Sequence, residues 1–178
     1  TLAGCATIDS QQRQWIFRPV KETFWAGALA ADGMAPVWID FESKESGTPA
    51  RLHGLWLANS DPAAPVLLYL HGARWDVTGS AARVRRMSSL GFSVLVIDYR
   101  GFGQSTDQSP DELPSEARAY EDAHAAWAWI ARNHPQQRRY IFGHSLGSAI
   151  AVQLAAEVGD ASGLIVEGRR TTRCCLSR

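Results

Sequence analysis

The stretch that decides the fold is R-Y-I-F-G-H-S-L-G-S-A-I-A-V-Q-L-A-A-E-V, residues 139–158. Arg139–Phe142 is typical of a short buried strand, and Leu146–Val158 is typical of an apolar helix of small residues. Between them, Gly143–Gly147 matches G-x-S-x-G, a strand–turn–helix in which a strained turn lifts the serine hydroxyl above the sheet edge. We predict that Ser145 is a nucleophile; a glycine-rich turn with an exposed serine is the alternative.

The elements around this stretch alternate between strands and helices. Runs rich in Val, Ile and Leu predict buried parallel strands at Val66–Leu70, Ser93–Ile97, Arg139–Phe142 and Gly163–Val166. Apolar residues at helical spacing predict helices at Ala81–Leu90, from a Ser115 cap to Asn133, and at Leu146–Val158. Two earlier runs, Val37–Glu42 and Leu52–Ala58, predict paired antiparallel strands. The order predicts an α/β fold with an open, mostly parallel sheet and antiparallel N-terminal strands.

The loop after Val66–Leu70 is a second candidate for chemistry, because His71-Gly72-Ala73 comes where this strand ends. A carbonyl under attack develops negative charge on its oxygen, and backbone N–H groups that are already in place stabilise that charge. We predict that the N–H groups of Ala73 and Leu146 form this oxyanion hole. Each donor of this kind lowers the barrier by about 3 kcal/mol.

Residues next to these motifs have two interpretations each. His71 precedes the oxyanion turn, and we interpret it as a hydrogen-bonding support of the loop rather than as a base. His144 adjoins the nucleophile and is interpreted as a packing residue rather than as the catalytic histidine. In D-Y-R-G-F-G-Q-S, residues 98–105, Asp98 and Arg100 could supply an acid and an anion site. The glycines favour a structural loop at the carboxyl end of a strand.

Four motifs in this order resemble the α/β-hydrolase superfamily, above all its Bem46-like and ABHD-type serine hydrolases. They are Q-W-I-F-R-P at residues 14–19, L-Y-L-H-G at 68–72, D-Y-R-G-F-G at 98–103 and G-H-S-L-G at 143–147. The resemblance covers residues 14–168. It implies hydrolysis of an ester, thioester or amide through an acyl-enzyme at Ser145, with Ala73 and Leu146 as the oxyanion donors.

The chain departs from the superfamily at the histidine of the catalytic triad. The triad runs Ser, then Asp or Glu, then His. Every histidine here precedes or adjoins the nucleophile: His53, His71, His124, His134 and His144. Glu157, Asp160 and Glu167 follow Ser145, and none is assigned as the acid. We therefore expect that the C-terminal strands, the cap, the acid and the histidine are missing from this chain, and that its esterase activity is little or none.

Both ends of the chain differ from the predicted domain at residues 14–168. Residues 169–178, R-R-T-T-R-C-C-L-S-R, have no apolar periodicity, and sixteen Arg against two Lys in the chain indicate a GC-rich gene. We interpret this tail as a frameshift product. Leu2-Ala3-Gly4-Cys5 resembles a bacterial lipobox, which predicts lipid on Cys5, a tether over the rest of residues 1–13, and a place in the bacterial cell envelope. An incidental cysteine at a frayed end is the alternative.

The composition excludes several classes of protein. The chain has 178 residues with 18 basic and 18 acidic groups, so we predict no nucleic-acid partner. All three cysteines lie near the ends, which excludes a disulfide scaffold, and we predict no metal and no cofactor. The prediction is a membrane-tethered serine hydrolase with a small-molecule ester, thioester or amide substrate. The alternative is a non-catalytic envelope lipoprotein that uses the same fold for binding.

Overall fold

A computed structural model describes residues 25–105 and 115–168 of the chain. Three regions named above lie outside the described residues. They are the lipobox-like segment with Cys5, the lead-in at residues 14–19, and the tail at residues 169–178.

Within the described residues, six strands form one mixed sheet. They are β1 (Ala35–Glu42), β2 (Pro49–Leu57), β3 (Val66–Leu70), β4 (Ser93–Ile97), β5 (Arg139–His144) and β6 (Gly163–Glu167). The strand order is β1-β2-β4-β3-β5-β6. Strands β3 to β6 run parallel, β1 pairs antiparallel with β2, and β2 pairs antiparallel with β4. This confirms the predicted mostly parallel sheet with antiparallel N-terminal strands.

Four helices pack on the sheet within the same residues. They are α1 (Trp25–Ala31), α2 (Val77–Ser89), α3 (Glu116–Asn133) and α4 (Leu146–Glu157). Ser115 caps α3 as predicted, since its hydroxyl accepts the Arg118 N–H at 3.2 Å. Helix α2 begins four residues earlier than predicted because Asp76 caps it, accepting the Gly79 N–H at 2.6 Å.

The helices cover both faces of the sheet. Small and apolar residues of α3 and α4, such as Ala123, Ile130 and Ile150, pack against Leu68 and Ile141 on one face. On the other face, α2 packs against the alternate side chains of the same strands. Because both faces are covered, every residue of β3 and β4 is buried, which is why their sequences are continuous apolar runs.

The parallel strands fix where a site can form. Their carboxyl ends meet at one edge of the sheet, where ligand crevices of open α/β sheets lie. The loops that leave this edge begin at His71 after β3, Asp98 after β4, Ser145 after β5 and Gly168 after β6. In residues 25–105 and 115–168, no helix combines the length and the apolar character that a membrane crossing requires.

Candidate active site

Ser145 stands between β5 and α4 in a strained backbone conformation. Its φ is 54° and its ψ is −116°, and it is the one non-glycine residue with positive φ among those described. An L-residue adopts this region only when the surrounding structure enforces it. The strained turn that G-x-S-x-G predicts is therefore present, and it leaves the Ser145 side chain exposed.

The glycines of the elbow (residues 143–147) allow it to pack directly on the end of β3. A Cβ atom at Gly147 would overlap the carbonyl oxygen of Leu70, and one at Gly143 would overlap the carbonyl oxygen of Gly147. On the facing loop, a Cβ atom at Gly72 would lie 3.2 Å from the Cβ of Ser145. These positions are therefore the close approaches that bring the serine beside the loop after β3.

A cleft of about 500 Å³ opens at this corner, and we call it the Ser145 cleft. It is lined by Gly72, Ala73, Arg74, Trp75, Arg83, His144, Ser145, Glu167 and Gly168. A larger groove of about 610 Å³ lies between β1 and α3, but none of the predicted site residues lines it. The predicted site residues Gly72, Ala73 and Ser145 thus line the smaller and more polar of these two cavities.

The two predicted oxyanion donors have backbone N–H groups without a partner among the described residues. Ala73 lines the cleft, and no described residue accepts a hydrogen bond from its N–H. Leu146 is the first residue of α4, so its N–H has no acceptor within the helix. Their role as oxyanion donors stays a prediction.

His71 lies beneath the oxyanion loop (residues 71–76) and is fully buried. Its Nδ1–H donates to the Gly72 carbonyl at 2.8 Å, and its ring packs against the rings of Tyr99 and Phe102, which also contact each other. Burial lowers the pKa of His71 and favours the neutral imidazole. The ring therefore contacts the base of the loop rather than the cleft.

Asp98 is the buried carboxylate at the carboxyl end of β4. One oxygen accepts the Val77 N–H at 2.8 Å, and the other accepts the Nδ1–H of His53 at 2.9 Å. His53 lies 45 residues before Asp98 in the chain, so no local pattern links the two. Sequence reasoning assigned residues 98–105 to loop structure and did not find this long-range contact.

Arg100 points into the interior rather than into the cleft. Its guanidinium lies 2.6 Å from the carboxylates of Asp122 and Glu121 and 2.7 Å from the Ser43 hydroxyl. The network joins the loop after β4 to α3 and to the turn after β1. These contacts therefore favour a structural role for Arg100 over an anion site.

Glu167 enters the site, although sequence reasoning gave it no role. Its carbonyl oxygen accepts the Ser145 N–H at 2.8 Å. Its carboxylate lies 3.7 Å from His144 Nδ1 and 3.9 Å from the Arg83 guanidinium. The sequence feature that could have indicated this role is the position of Glu167 at the end of β6, the strand that pairs with the nucleophile strand β5.

The remaining histidines have partners away from the nucleophile. His53 bonds Asp98, His124 pairs with Glu157, and His134 stacks on Trp56 with ring centroids 4.4 Å apart. Among the described residues, none forms a hydrogen bond with the Ser145 hydroxyl. In the same part of the chain, no three His, Cys, Asp or Glu side chains converge to hold a metal ion.

A helix-covered, mostly parallel sheet with a serine at a positive-φ elbow defines the α/β-hydrolase class of proteins. Residues 61–168 match the family model described as serine aminopeptidase, S33. The match covers more than half of the sequence, and the chain belongs to this family of the α/β-hydrolase superfamily.

Two relatives and one solved structure illustrate the similarity. Lysophosphatidylserine lipase ABHD12 of Danio rerio is 38% identical over 130 residues, which are 71% of this chain and 30% of that protein. An uncharacterized protein of Mycobacterium tuberculosis is 34% identical over 155 residues, 84% of this chain and 51% of that protein. An esterase of Pyrococcus furiosus superposes with a TM-score of 0.64 at 21% identity, over 82% of this chain and 55% of that one, and this likeness shows the fold alone. The matches thus span 30% and 51% of the lengths of the two relatives.

Proposed function

We propose that this site is that of a serine hydrolase for carboxylic esters, with Ser145 as the nucleophile. The observation that carries the proposal is the geometry of the corner: a serine in a strained elbow faces the Gly72-Ala73 backbone across one cleft. Membership in a hydrolase family supports the same reaction class.

The chemistry follows from the groups present. The Ser145 oxygen attacks the ester carbonyl carbon, and the Ala73 and Leu146 N–H groups bind the oxyanion that forms. Collapse of this intermediate breaks the bond to the alcohol, which leaves with a proton, and the acyl group stays on Ser145. Water then attacks the acyl-enzyme, releases the carboxylic acid and returns the proton to the serine oxygen.

The proton of Ser145 needs a base, and no histidine of this chain bonds that hydroxyl. We therefore propose that this polypeptide turns over slowly. Binding and the oxyanion hole alone leave about 10³–10⁴-fold catalysis over water in a serine protease stripped of its triad. The activity expected here is of that residual kind.

The cleft also carries features that select a substrate. Arg74 and Arg83 line the cleft together with Ser145, and the one carboxylate in the lining, Glu167, lies 3.9 Å from the Arg83 guanidinium. Trp75 is 43% exposed beside them, and its ring packs on Gly79. We propose an ester that combines an anionic group with an apolar acyl chain. The name of the ABHD12 relative, a lysophosphatidylserine lipase, describes a substrate of this kind.

The lipobox-like Leu2-Ala3-Gly4-Cys5 supports a further proposal, that the protein is held at a membrane of the bacterial envelope by lipid on Cys5. Expression with its own upstream sequence tests it. We expect the protein in the membrane fraction, and the Cys5→Ser variant in the soluble fraction. Equal fractionation of the two would contradict the anchor.

Labelling by a fluorophosphonate tests the nucleophile. We expect slow phosphonylation that peptide mass spectrometry places on Ser145, and no adduct on the Ser145→Ala protein. Hydrolysis of p-nitrophenyl acetate by the same samples tests turnover, which we expect to exceed the Ser145→Ala background only slightly. Absence of an adduct on Ser145 would instead favour the non-catalytic binding protein.

A further inference from the structure

We propose that Asp98 is a positioning residue of this site: its buried carboxylate holds the far end of the oxyanion loop and thereby sets where the Ala73 N–H stands. The inference rests on the proposed function, because the position of this N–H matters only if Ser145 attacks a carbonyl. In the sequence Asp98 is a candidate acid, and the glycines of residues 98–105 favour a structural loop.

The far end of the oxyanion loop is joined to Asp98 by a hydrogen bond. Val77 is the first residue of α2, and its N–H is one of the groups that a helix N-terminus leaves without an internal acceptor. Asp98 Oδ1 accepts this N–H at 2.8 Å. Because Asp98 follows β4 directly, the bond fixes the start of α2 relative to the sheet.

The near end of the loop is held by Tyr99, the residue after Asp98, and not by a bond to the carboxylate. The His71 Nδ1 bonds a carbonyl, which can only accept, so Nδ1 carries the proton and Nε2 carries a lone pair. Nε2 is buried, has no hydrogen-bond partner and lies 4.0 Å from Asp98 Oδ1. Tyr99, next to Asp98, donates its hydroxyl to the His71 carbonyl at 3.3 Å. The loop is therefore held at its far end by the Asp98 carboxylate and at its near end by the Tyr99 hydroxyl.

The carboxylate itself is held in one orientation. Asp98 Oδ2 accepts the His53 Nδ1–H at 2.9 Å and the Gln104 N–H at 3.4 Å. A Cβ atom at Gly103 would overlap the carboxylate, so the glycine backbone covers it closely. Donors on three sides stabilise a charge that is otherwise unfavourable in the interior. A fixed anchor of this kind is what a preorganised oxyanion donor requires.

The experiment measures the fluorophosphonate reaction of Ser145 in the full chain, separating the maximal labelling rate from the half-saturating reagent concentration. An oxyanion donor acts on the rate, since it stabilises charge that develops only during attack. We expect Asp98→Ala to lower the maximal rate about 30-fold with an unchanged half-saturating concentration. Asp98→Asn keeps an acceptor oxygen for Val77, so we expect a loss of only about threefold and a folded protein.

Asp122→Asn is the matched control. Like Asp98, Asp122 is fully buried, and its carboxylate accepts the backbone N–H of Arg100 at 2.8 Å. It lies on α3, in the hydrogen-bond network of Arg100, and does not contact the oxyanion loop. We expect this variant to lose stability and to keep the labelling rate.

An unchanged rate in Asp98→Ala, or an equal loss in Asp122→Asn, would overturn the positioning role and leave the proposed function intact. If Asp98→Ala does not fold, an Asp98→Asn rate at or below one-thirtieth of wild type overturns the role of the Val77 bond, whereas the threefold loss supports it. Absence of labelling in the wild-type chain would overturn the proposed function and the inference together.

Discussion

Strands β3 and β6 flank the nucleophile strand β5, and they differ sharply in burial. All five residues of β3 are buried, whereas Leu164, Ile165 and Val166 of β6 are 41%, 40% and 52% exposed. One buried hydrogen bond joins the end of the loop after β3 to Asp98, whereas the Glu167 carboxylate at the end of β6 lies 3.7 Å from His144 and 3.9 Å from Arg83. The side of the site formed by β3 and the loop after it, which carries the predicted donor Ala73, thus rests on buried residues. On the opposite side, β6 is exposed within residues 25–105 and 115–168.

The largest effect is expected where the elbow touches β3. In Gly147→Ala, the new Cβ overlaps the Leu70 carbonyl oxygen, which is backbone and cannot move aside. We expect the free energy of unfolding to fall by about 4 kcal/mol, or the chain not to fold. Urea unfolding followed by circular dichroism measures it. Gly159→Ala is the control, since nothing lies within 4 Å of a Cβ there, and it is expected to change stability by less than about 0.5 kcal/mol.

Truncation on the two flanking strands tests the comparison itself. Leu68→Ala in β3 removes a fully buried side chain and is expected to reduce the free energy of unfolding by about 3 kcal/mol. Ile165→Ala in β6 removes a side chain that is already 40% exposed, and about 1 kcal/mol is expected. Both values come from the same urea titrations. Equal losses at the two positions would show that β6 is as well covered as β3.

The buried side should also make stability depend on pH. Burial lowers the pKa of His71 in the folded protein, so as the pH falls below about 6.5 the unfolded chain binds a proton that the folded one does not. The contribution of His71 to stability should therefore be complete at pH 7 and fall by about 1 kcal/mol by pH 5.5, whereas burial raises the pKa of Asp122 to about 7 and opposes this loss. Burial also lowers the pKa of His134, which contributes with the same sign as His71.

The variant His71→Asn isolates the part that belongs to this residue. Between pH 7 and pH 5.5 its melting temperature should fall less, or rise more, than that of the wild type, whatever its absolute stability. A slope identical to the wild type would assign the pH dependence elsewhere, first of all to His134.

The smallest effect is expected on the open side of the cleft. Arg74→Ala should weaken protection of Ser145 from the fluorophosphonate by glycerol 3-phosphate about threefold at low salt, since exposed charge pairs contribute under about 1 kcal/mol. Arg86→Ala is the control, because Arg86 is exposed on α2 and does not line the cleft. Protection by glycerol should not change in either variant. An equal effect of the two substitutions would show that Arg74 acts only through the general surface charge and not through a specific contact with the anion.

The same division into a buried and an open side explains what the sequence could predict. The bounds of β3 and β4 were predicted to the residue, because strands covered on both faces have continuous apolar sequences with polar flanks. The elbow was predicted because its motif is local and its glycines follow from backbone packing. Helix α1 was not predicted, since seven residues rich in alanine and glycine carry too short a periodicity.

The contacts that complete the candidate site were harder to predict, because they join distant parts of the chain. Asp98 meets His53 and Val77, and neither pairing has a local signature. Glu167 reaches the cleft only through the register of β6 on β5, which places it opposite His144. Such pairings depend on strand order, and a single sequence predicts strand existence better than strand neighbours.

The backbone of Ser145 has a consequence for how this sequence could change over time. A glycine would adopt φ 54° and ψ −116° with little strain, whereas serine is held there at the expense of about 1–3 kcal/mol. Selection for stability alone would therefore drive this position toward glycine. A lineage that lost the reaction would be free to drift in that direction, and a serine kept in this conformation is what continued use of its hydroxyl would maintain.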